Sequence, residues 1–135
     1  LVEQKFLTPE QADAVPPVKL LRFFQSDLGR RVLSAEKLVR EFKFSVLEDG
    51  EQYDGALAGE RLLLQGVTDC CIVEKDGLVI LDFKSDRIRE GEEAERAAYY
   101  RGQLDAYSRA LSRIFEMPVK ERILYFFATD MPFEV

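Results

Sequence analysis

Gly66-Val67-Thr68-Asp69 and, thirteen residues beyond that aspartate, Asp82-Phe83-Lys84-Ser85-Asp86 are the stretches that decide how this chain folds. Between them lie an apolar run (Cys70-Cys71-Ile72-Val73), the turn residues Glu74-Lys75-Asp76-Gly77, and a second apolar run (Leu78-Val79-Ile80-Leu81). Two short β-rich runs around an Asp-Gly predict an antiparallel hairpin, because a tight turn needs φ > 0 and glycine tolerates it. With Asp76-Gly77 as the loop pair, Lys75 faces Leu78, Cys71 faces Asp82, and Asp69 faces Lys84. Paired residues share a face, as do residues two apart on one strand. Asp69, Asp82 and Lys84 are therefore expected to emerge together, with the two carboxylates as diagonal neighbours roughly 7–8 Å apart at the backbone.

Two acids aimed at one spot repel each other unless a proton or a divalent cation lies between them. Carboxylate oxygens suit a hard ion such as Mg²⁺, which keeps several waters and accepts phosphate oxygens as further ligands. A lysine beside that ion can hold an attacking water or neutralise charge developing on a phosphate. The plainer reading is a cross-strand ion pair between Asp69 and Lys84 on a solvated face. Position argues for chemistry: both charges end long apolar runs, where burial without a function is expensive.

The 135 residues suffice for one domain with a proper core and are too few for two of ordinary size. Hydrophobic residues make up 47%, with ten Phe and five Tyr, a globular composition. No apolar run approaches a membrane span and no signal segment opens the chain. The adjacent Cys70 and Cys71 read as buried thiols of a reducing, cytoplasmic compartment. Absence of histidine excludes His-dependent triads and His-rich metal sites within these residues. The net charge of −6 argues that this chain alone binds nucleic acid weakly, since a basic footprint is the usual mark. A first residue that is Leu rather than Met suggests a piece of a longer chain.

Along the chain, Thr8-Pro9-Glu10-Gln11 resembles a helix start. Val18 to Gln25 carries Leu20, Leu21, Phe23 and Phe24 at helical spacing behind Pro17. A break is expected at Ser26-Asp27-Leu28-Gly29, then a short helical turn near Arg30 to Leu33. Residues 38–47 read as a strand, with Phe42, Phe44 and Val46 alternating against Glu41, Lys43 and Ser45. Glu41 falls at its start on the polar side, where an ordinary surface acid is the plain reading. Residues 48–60 form a polar loop. Arg61 to Val73 begins the hairpin. After a charged, mobile connection over 87–96, a helix runs from about Glu92 to Phe115. Its buried stripe is Ala97, Tyr100 or Arg101, Leu104, Ser108 and Leu111, with Arg96, Tyr100, Gln103 and Tyr107 on the strip beside it. Solvated Gln and snorkelling Tyr at a helix boundary would explain that strip equally well. Val119 to Thr129 reads as a last strand, apolar on both faces and hence internal to a mixed sheet. No Gly-rich phosphate loop is present.

The combination Gly66-Val67-Thr68-Asp69, Asp82-Phe83-Lys84-Ser85-Asp86 and Gln103-Leu104-Asp105-Ala106-Tyr107 resembles the RecB-like nucleases of the PD-(D/E)XK superfamily, most closely the C-terminal domains of AddA-type helicase–nucleases. Arg40-Glu41-Phe42-Lys43-Phe44-Ser45 and the lead-in around Ser26-Asp27-Leu28-Gly29-Arg30 are similar too. The resemblance implies an α/β, restriction-endonuclease-like mixed sheet flanked by helices, with 1–37 as helical lead-in and 38–135 as core. It implies hydrolysis of DNA phosphodiesters at linear duplex ends and on single strands, during repair and recombination of double-strand breaks. Mg²⁺ would be the cofactor, with Mn²⁺ able to substitute. Asp69, Asp82 and the Phe83 carbonyl would hold the metal. Lys84 would orient water or stabilise the transition state, and Glu41 would contact a metal or its water. Gln103 and Tyr107 would support the site and the DNA backbone. The implied partners are an AddB-type subunit in a heterodimer and a helicase motor in the same chain.

Two departures stand out. Thr68 occupies a position often apolar in the family; it is expected to point to the other face. The family's metal-ligating His on an upstream helix has no counterpart here, so these residues alone would form a partly built site with weak or absent activity. A related nuclease of another type, such as a phage exonuclease, and a catalytically inactive DNA-end or protein-docking module are the alternatives.

Overall fold

The computed structural model describes residues 15–135. They form two short helices, α1 (Pro17–Gln25) and α2 (Asp27–Ser34), then strands β1 (Leu38–Asp49), β2 (Arg61–Glu74) and β3 (Gly77–Lys84). A long helix α3 (Glu93–Phe115) and strands β4 (Val119–Phe126) and β5 (Met131–Glu134) complete the chain. The helix start expected at Thr8–Gln11 lies outside the described residues.

The strands make one five-stranded sheet in the order β1-β2-β3-β4-β5. Only β3 and β4 run parallel; the other neighbours are antiparallel. A parallel pair needs a crossover connection, and α3 supplies it. Helices cover both faces. On one, Leu20, Phe23, Leu28 and Val32 of α1–α2 pack on Cys70, Ile72, Val79, Leu81, Phe83 and Tyr125. Phe23 is the hub, its ring centroid 5.1 Å from Phe83 and 4.8 Å from Tyr125, both edge-on. On the other face, Ala110 and Leu111 of α3 meet Cys71, Leu78 and Ile80, and Ala97 and Leu104 meet Leu124 and Phe126. Every residue of β3 up to Phe83 is buried, as in a strand covered on both sides. Since Leu78 and Ile80 face α3, the next even positions, Asp82 and Lys84, emerge toward that helix.

Several expectations are corrected. The hairpin loop is Lys75-Asp76, because Glu74 pairs with Gly77. Gly77 follows the loop at φ +156°, a backbone that L side chains rarely adopt, and space is short there too: a Cβ would stand 2.8 Å from the Pro118 carbonyl, which accepts the amide of Leu78 at 2.8 Å. Cys71 thus faces Ile80, not Asp82. The break between α1 and α2 is Ser26 alone, whose hydroxyl caps α2 by accepting from the Gly29 amide at 3.1 Å. Strand β1 continues through Asp49, and only then come two 3₁₀ turns, Gly50–Gln52 and Gly55–Leu57. Strand β4 is internal as expected but ends at Phe126. Asp130, at φ +55°, reverses the chain into β5, a strand the sequence did not reveal. Among the described residues no helix is long and apolar enough to cross a membrane.

Candidate active site

The site lies where β2 and β3 part. Their ladder runs from Glu74–Gly77 to Cys70–Leu81 and stops. Beside a two-residue loop, every second pair exchanges hydrogen bonds, so the series 74–77, 72–79, 70–81 would next join the Phe83 amide to the Thr68 carbonyl. Instead Phe83 N donates to Asp69 Oδ2 at 2.8 Å. The Asp69 carboxylate has taken the place of a strand partner and is held against the first free amide of the opened ladder. Continued beyond its last pair, that register would set Asp69 opposite Asp82, two residues short of the expected partner Lys84.

Asp82 is 6% exposed, and Lys84 Nζ lies 2.6 Å from its Oδ2. Removing one member of such a pair would strand a buried charge, so each depends on the other. The ammonium also reaches Gln103 Oε1 at 3.4 Å and stands 3.9 Å above the ring centroid of Tyr100. Gln103 Nε2 in turn donates to Tyr107 Oη at 3.4 Å, a long bond of modest strength. One turn of α3 separates each of these side chains from the next, so a single helix face delivers all three. Tyr107 is seated by Gly66, where a Cβ would come within 2.7 Å of its ring. Phe44 meets the same ring edge-on at 5.0 Å.

Two residues without an expected role join this group. Tyr100 Oη donates to the Asp86 carboxylate, 2.8 and 3.0 Å from its two oxygens, and Arg96 approaches Asp86 at 3.5 Å. Burial, reinforced by Asp86, pushes the Tyr100 phenol up to about 12. Their sequence signals were present: Tyr100 sits one turn before Gln103, and Asp86 two positions after Lys84.

Glu41 stands within β1 rather than at its start, between the pairs Arg40–Cys70 and Phe42–Thr68, and so opposite Asp69. Its φ of +47° is left-handed, a conformation costing about 1–3 kcal/mol for a non-glycine residue and concentrated at functional sites. Here it switches the face of the strand. Val39 packs on the α3 side before it, and Phe42, Phe44 and Val46 do so after it, an odd-to-even change that regular alternation forbids. Thr68 is fully buried, and its hydroxyl has no hydrogen-bond partner among the described residues. Burial pushes the neighbouring Cys70 thiol up to about 12, leaving it inert at neutral pH.

The ligands that the resemblance implies, the carboxylates of Asp69 and Asp82 and the Phe83 carbonyl, would offer oxygen alone. That set fits a hard divalent cation and no soft one. A cationic group already seats on Asp82, in the form of the Lys84 ammonium. Among the described residues no three acidic, Cys or His side chains converge into a complete cage, so such an ion would keep much of its water.

A five-stranded mixed sheet flanked by helices, with Asp69 on β2 and Asp82 and Lys84 on β3, fits an α/β nuclease fold, and comparison with known families agrees. The chain belongs to the PD-(D/E)XK nuclease superfamily, whose model matches residues 2–134. It is also similar to bacterial proteins named as the A-type subunit of an ATP-dependent helicase/nuclease. It is 40% identical to that of Clostridium novyi over 140 residues, covering 100% of this chain and 11% of the relative. Identity is 41% with that of Desulforudis audaxviator, covering 96% of this chain and 11% of the relative. It is again 41% with that of Bacillus cereus strain AH820, covering 94% and 11%. The chain therefore spans about a tenth of the length of these curated relatives.

Proposed function

We propose that this chain is the nuclease domain of an AddAB-type helicase–nuclease and hydrolyses DNA phosphodiester bonds as an exonuclease in double-strand-break processing. The observation that carries the reading is the Asp69 carboxylate on the Phe83 amide with Lys84 on Asp82 beside it, which gathers three groups of the right chemistry at one strand opening. Asp69, Asp82 and the Phe83 carbonyl would hold Mg²⁺ or Mn²⁺. When bound, such an ion polarises a phosphate oxygen and makes a coordinated water more acidic.

The chain's own groups do the rest. Lys84, a compact cation with three N–H donors, orients water or meets the charge that develops on the non-bridging phosphate oxygens. Gln103 and Tyr107 steady that ammonium and offer donors to the DNA backbone. Glu41, opposite Asp69, would contact the metal or its water. The missing His ligand and the motor that feeds DNA would come from the remainder of a longer chain, and an AddB-type partner would complete the complex. A net charge of −6 fits that division, since a basic track elsewhere would carry the DNA.

The test is Mg²⁺- or Mn²⁺-dependent cleavage of linear DNA by the full-length protein against its Asp82→Ala variant. Loss of cleavage with DNA unwinding retained is expected. Equal cleavage by both would remove the activity from these residues.

A further inference from the structure

We infer that Tyr100 is a positioning residue for Lys84: its ring face holds the ammonium over Asp82, and Asp86 fixes the ring by accepting the phenol hydrogen. The inference rests on the reading of Lys84 as a working group in hydrolysis and adds the device that keeps it in place.

A lysine side chain has a flexible four-carbon stem and loses much rotamer freedom when its head is fixed. Something beyond Asp82 must hold it, because a carboxylate engaged with a second cation shares its charge. Gln103 at 3.4 Å is a weak restraint. The Tyr100 centroid at 3.9 Å is well inside the roughly 6 Å range of cation–π attraction. A neutral ring orients an ammonium without discharging it, whereas a third carboxylate in that place would pair with it outright. The charge of Asp86 is held at the hydroxyl end of the ring, with both oxygens within hydrogen-bond distance of the phenol. Donation from the phenol to a carboxylate polarises the ring toward a more negative face, so each contact strengthens the next. Arg96 balances Asp86 at 3.5 Å. Tyr99 closes the arrangement, its ring edge-on to Tyr100 at 5.0 Å.

Steady-state cleavage of linear DNA by the full-length protein with Mg²⁺ separates this role from simple packing. Tyr100→Leu, which fills space without a π face, should lower kcat about tenfold, equivalent to about 1.4 kcal/mol, with KM within about twofold. Tyr100→Phe keeps the ring and should recover most of that loss. Replacing Tyr100 by phenylalanine, difluorophenylalanine and pentafluorophenylalanine removes the negative ring face in steps at nearly constant size. kcat should fall along that series, and the series reads the same contact even where Tyr100→Leu does not fold. A flat series, or a Phe variant as impaired as Leu, overturns the inference. Asp82→Ala and Lys84→Ala run alongside: if both cleave like wild type, the proposed function fails, and if both are inactive while the fluorinated series is flat, only the role of Tyr100 fails.

Discussion

Gly66→Ala tests how tightly the site is tied to the packing beneath it. A Cβ on residue 66 would meet Phe44 Cζ and Tyr107 Cε1 at 2.7 Å and Tyr107 Cζ at 2.8 Å. Carbon atoms rest at about 3.5–4.0 Å, so the rings must retreat by roughly 1 Å. Neither can do so freely, because they already pack edge-on at 5.0 Å and Phe44 is buried. Overfilling of this kind costs about 1–3 kcal/mol. Alanine returns about 0.4–1 kcal/mol by restricting the unfolded chain, since Gly66 has no left-handed φ to lose. The net is about 1–2 kcal/mol of destabilisation. With an unfolding entropy of about 2.1 cal/mol/K per residue, that lowers Tm by about 3–7 °C. Activity should fall further than stability, because the Tyr107–Gln103 bond, already 3.4 Å, does not survive the displacement. Thermal melting of the 135-residue chain by circular dichroism gives the first number and DNA cleavage by the full-length protein the second. Gly66→Ala/Phe44→Leu should lose less stability than the sum of the two single variants, since the shorter side chain vacates the crowded space. If Gly66→Ala melts at or above wild type, the rings do not lie against residue 66 and the account of how Tyr107 is seated is wrong.

Two further outcomes follow from single contacts. Asp69→Asn keeps a carbonyl oxygen for the Phe83 amide and should melt close to wild type, while Asp69→Ala leaves that amide unpaired and should cost about 1–3 kcal/mol more. Both should abolish cleavage, and equal melting of the two would refute the strand-substituting role of the carboxylate. Hydrogen bonds from Arg31 and then Lys120 hold the Glu74 carboxyl down from 4.5 to about 2. A depressed acid contributes stability that is complete above its unfolded pKa and lost as pH falls through the folded one. Tm should therefore drop between about pH 4.5 and pH 2, by a modest amount because both partners in the Arg31 pair are 31% exposed. Glu74→Gln should flatten that slope, and an unchanged slope would place the acid sensitivity elsewhere.

The sequence made the elements that rest on local periodicity legible. α3 was found to within a residue because Ala97, Leu104 and Leu111 repeat at helical spacing and are all fully buried. Strands β1 to β3 were found because apolar runs met turn residues. What escaped was decided by contacts distant in sequence. Gly77 answers not only to its positive φ beside the turn but also to the carbonyl of Pro118, far along the chain. β5 is four residues with a proline, too short to show a period, and forms because β4 offers an open edge. The turn into it is tied down by Lys19 and Arg22 of α1, which bind Asp130 at 3.1 and 3.0 Å. Nothing in Arg-Glu-Phe signals that Glu41 takes a left-handed backbone inside a strand.

The convergence of Asp69, Asp82 and Lys84 survived a wrong register for a physical reason. Moving the loop from 76–77 to 75–76 changes the sum of paired residue numbers by two, and a shift of two preserves which face each side chain occupies. A shift of one would have sent Asp69 to the opposite side of the sheet from Asp82. The pattern of burial forbids that odd shift: Cys71 and Ile80 must both meet α3, and Cys70, Ile72, Val79 and Leu81 must all meet α1–α2. The core therefore fixes the parity of the site even where the turn leaves its register open. What parity cannot give is the opening itself. The ladder stops at Cys70–Leu81, and the side chain of Asp69 then does for Phe83 what the backbone of Thr68 would have done. An aspartate at that point satisfies the amide that the interrupted ladder leaves without a strand partner, so β2 and β3 can stop pairing there without stranding a backbone donor.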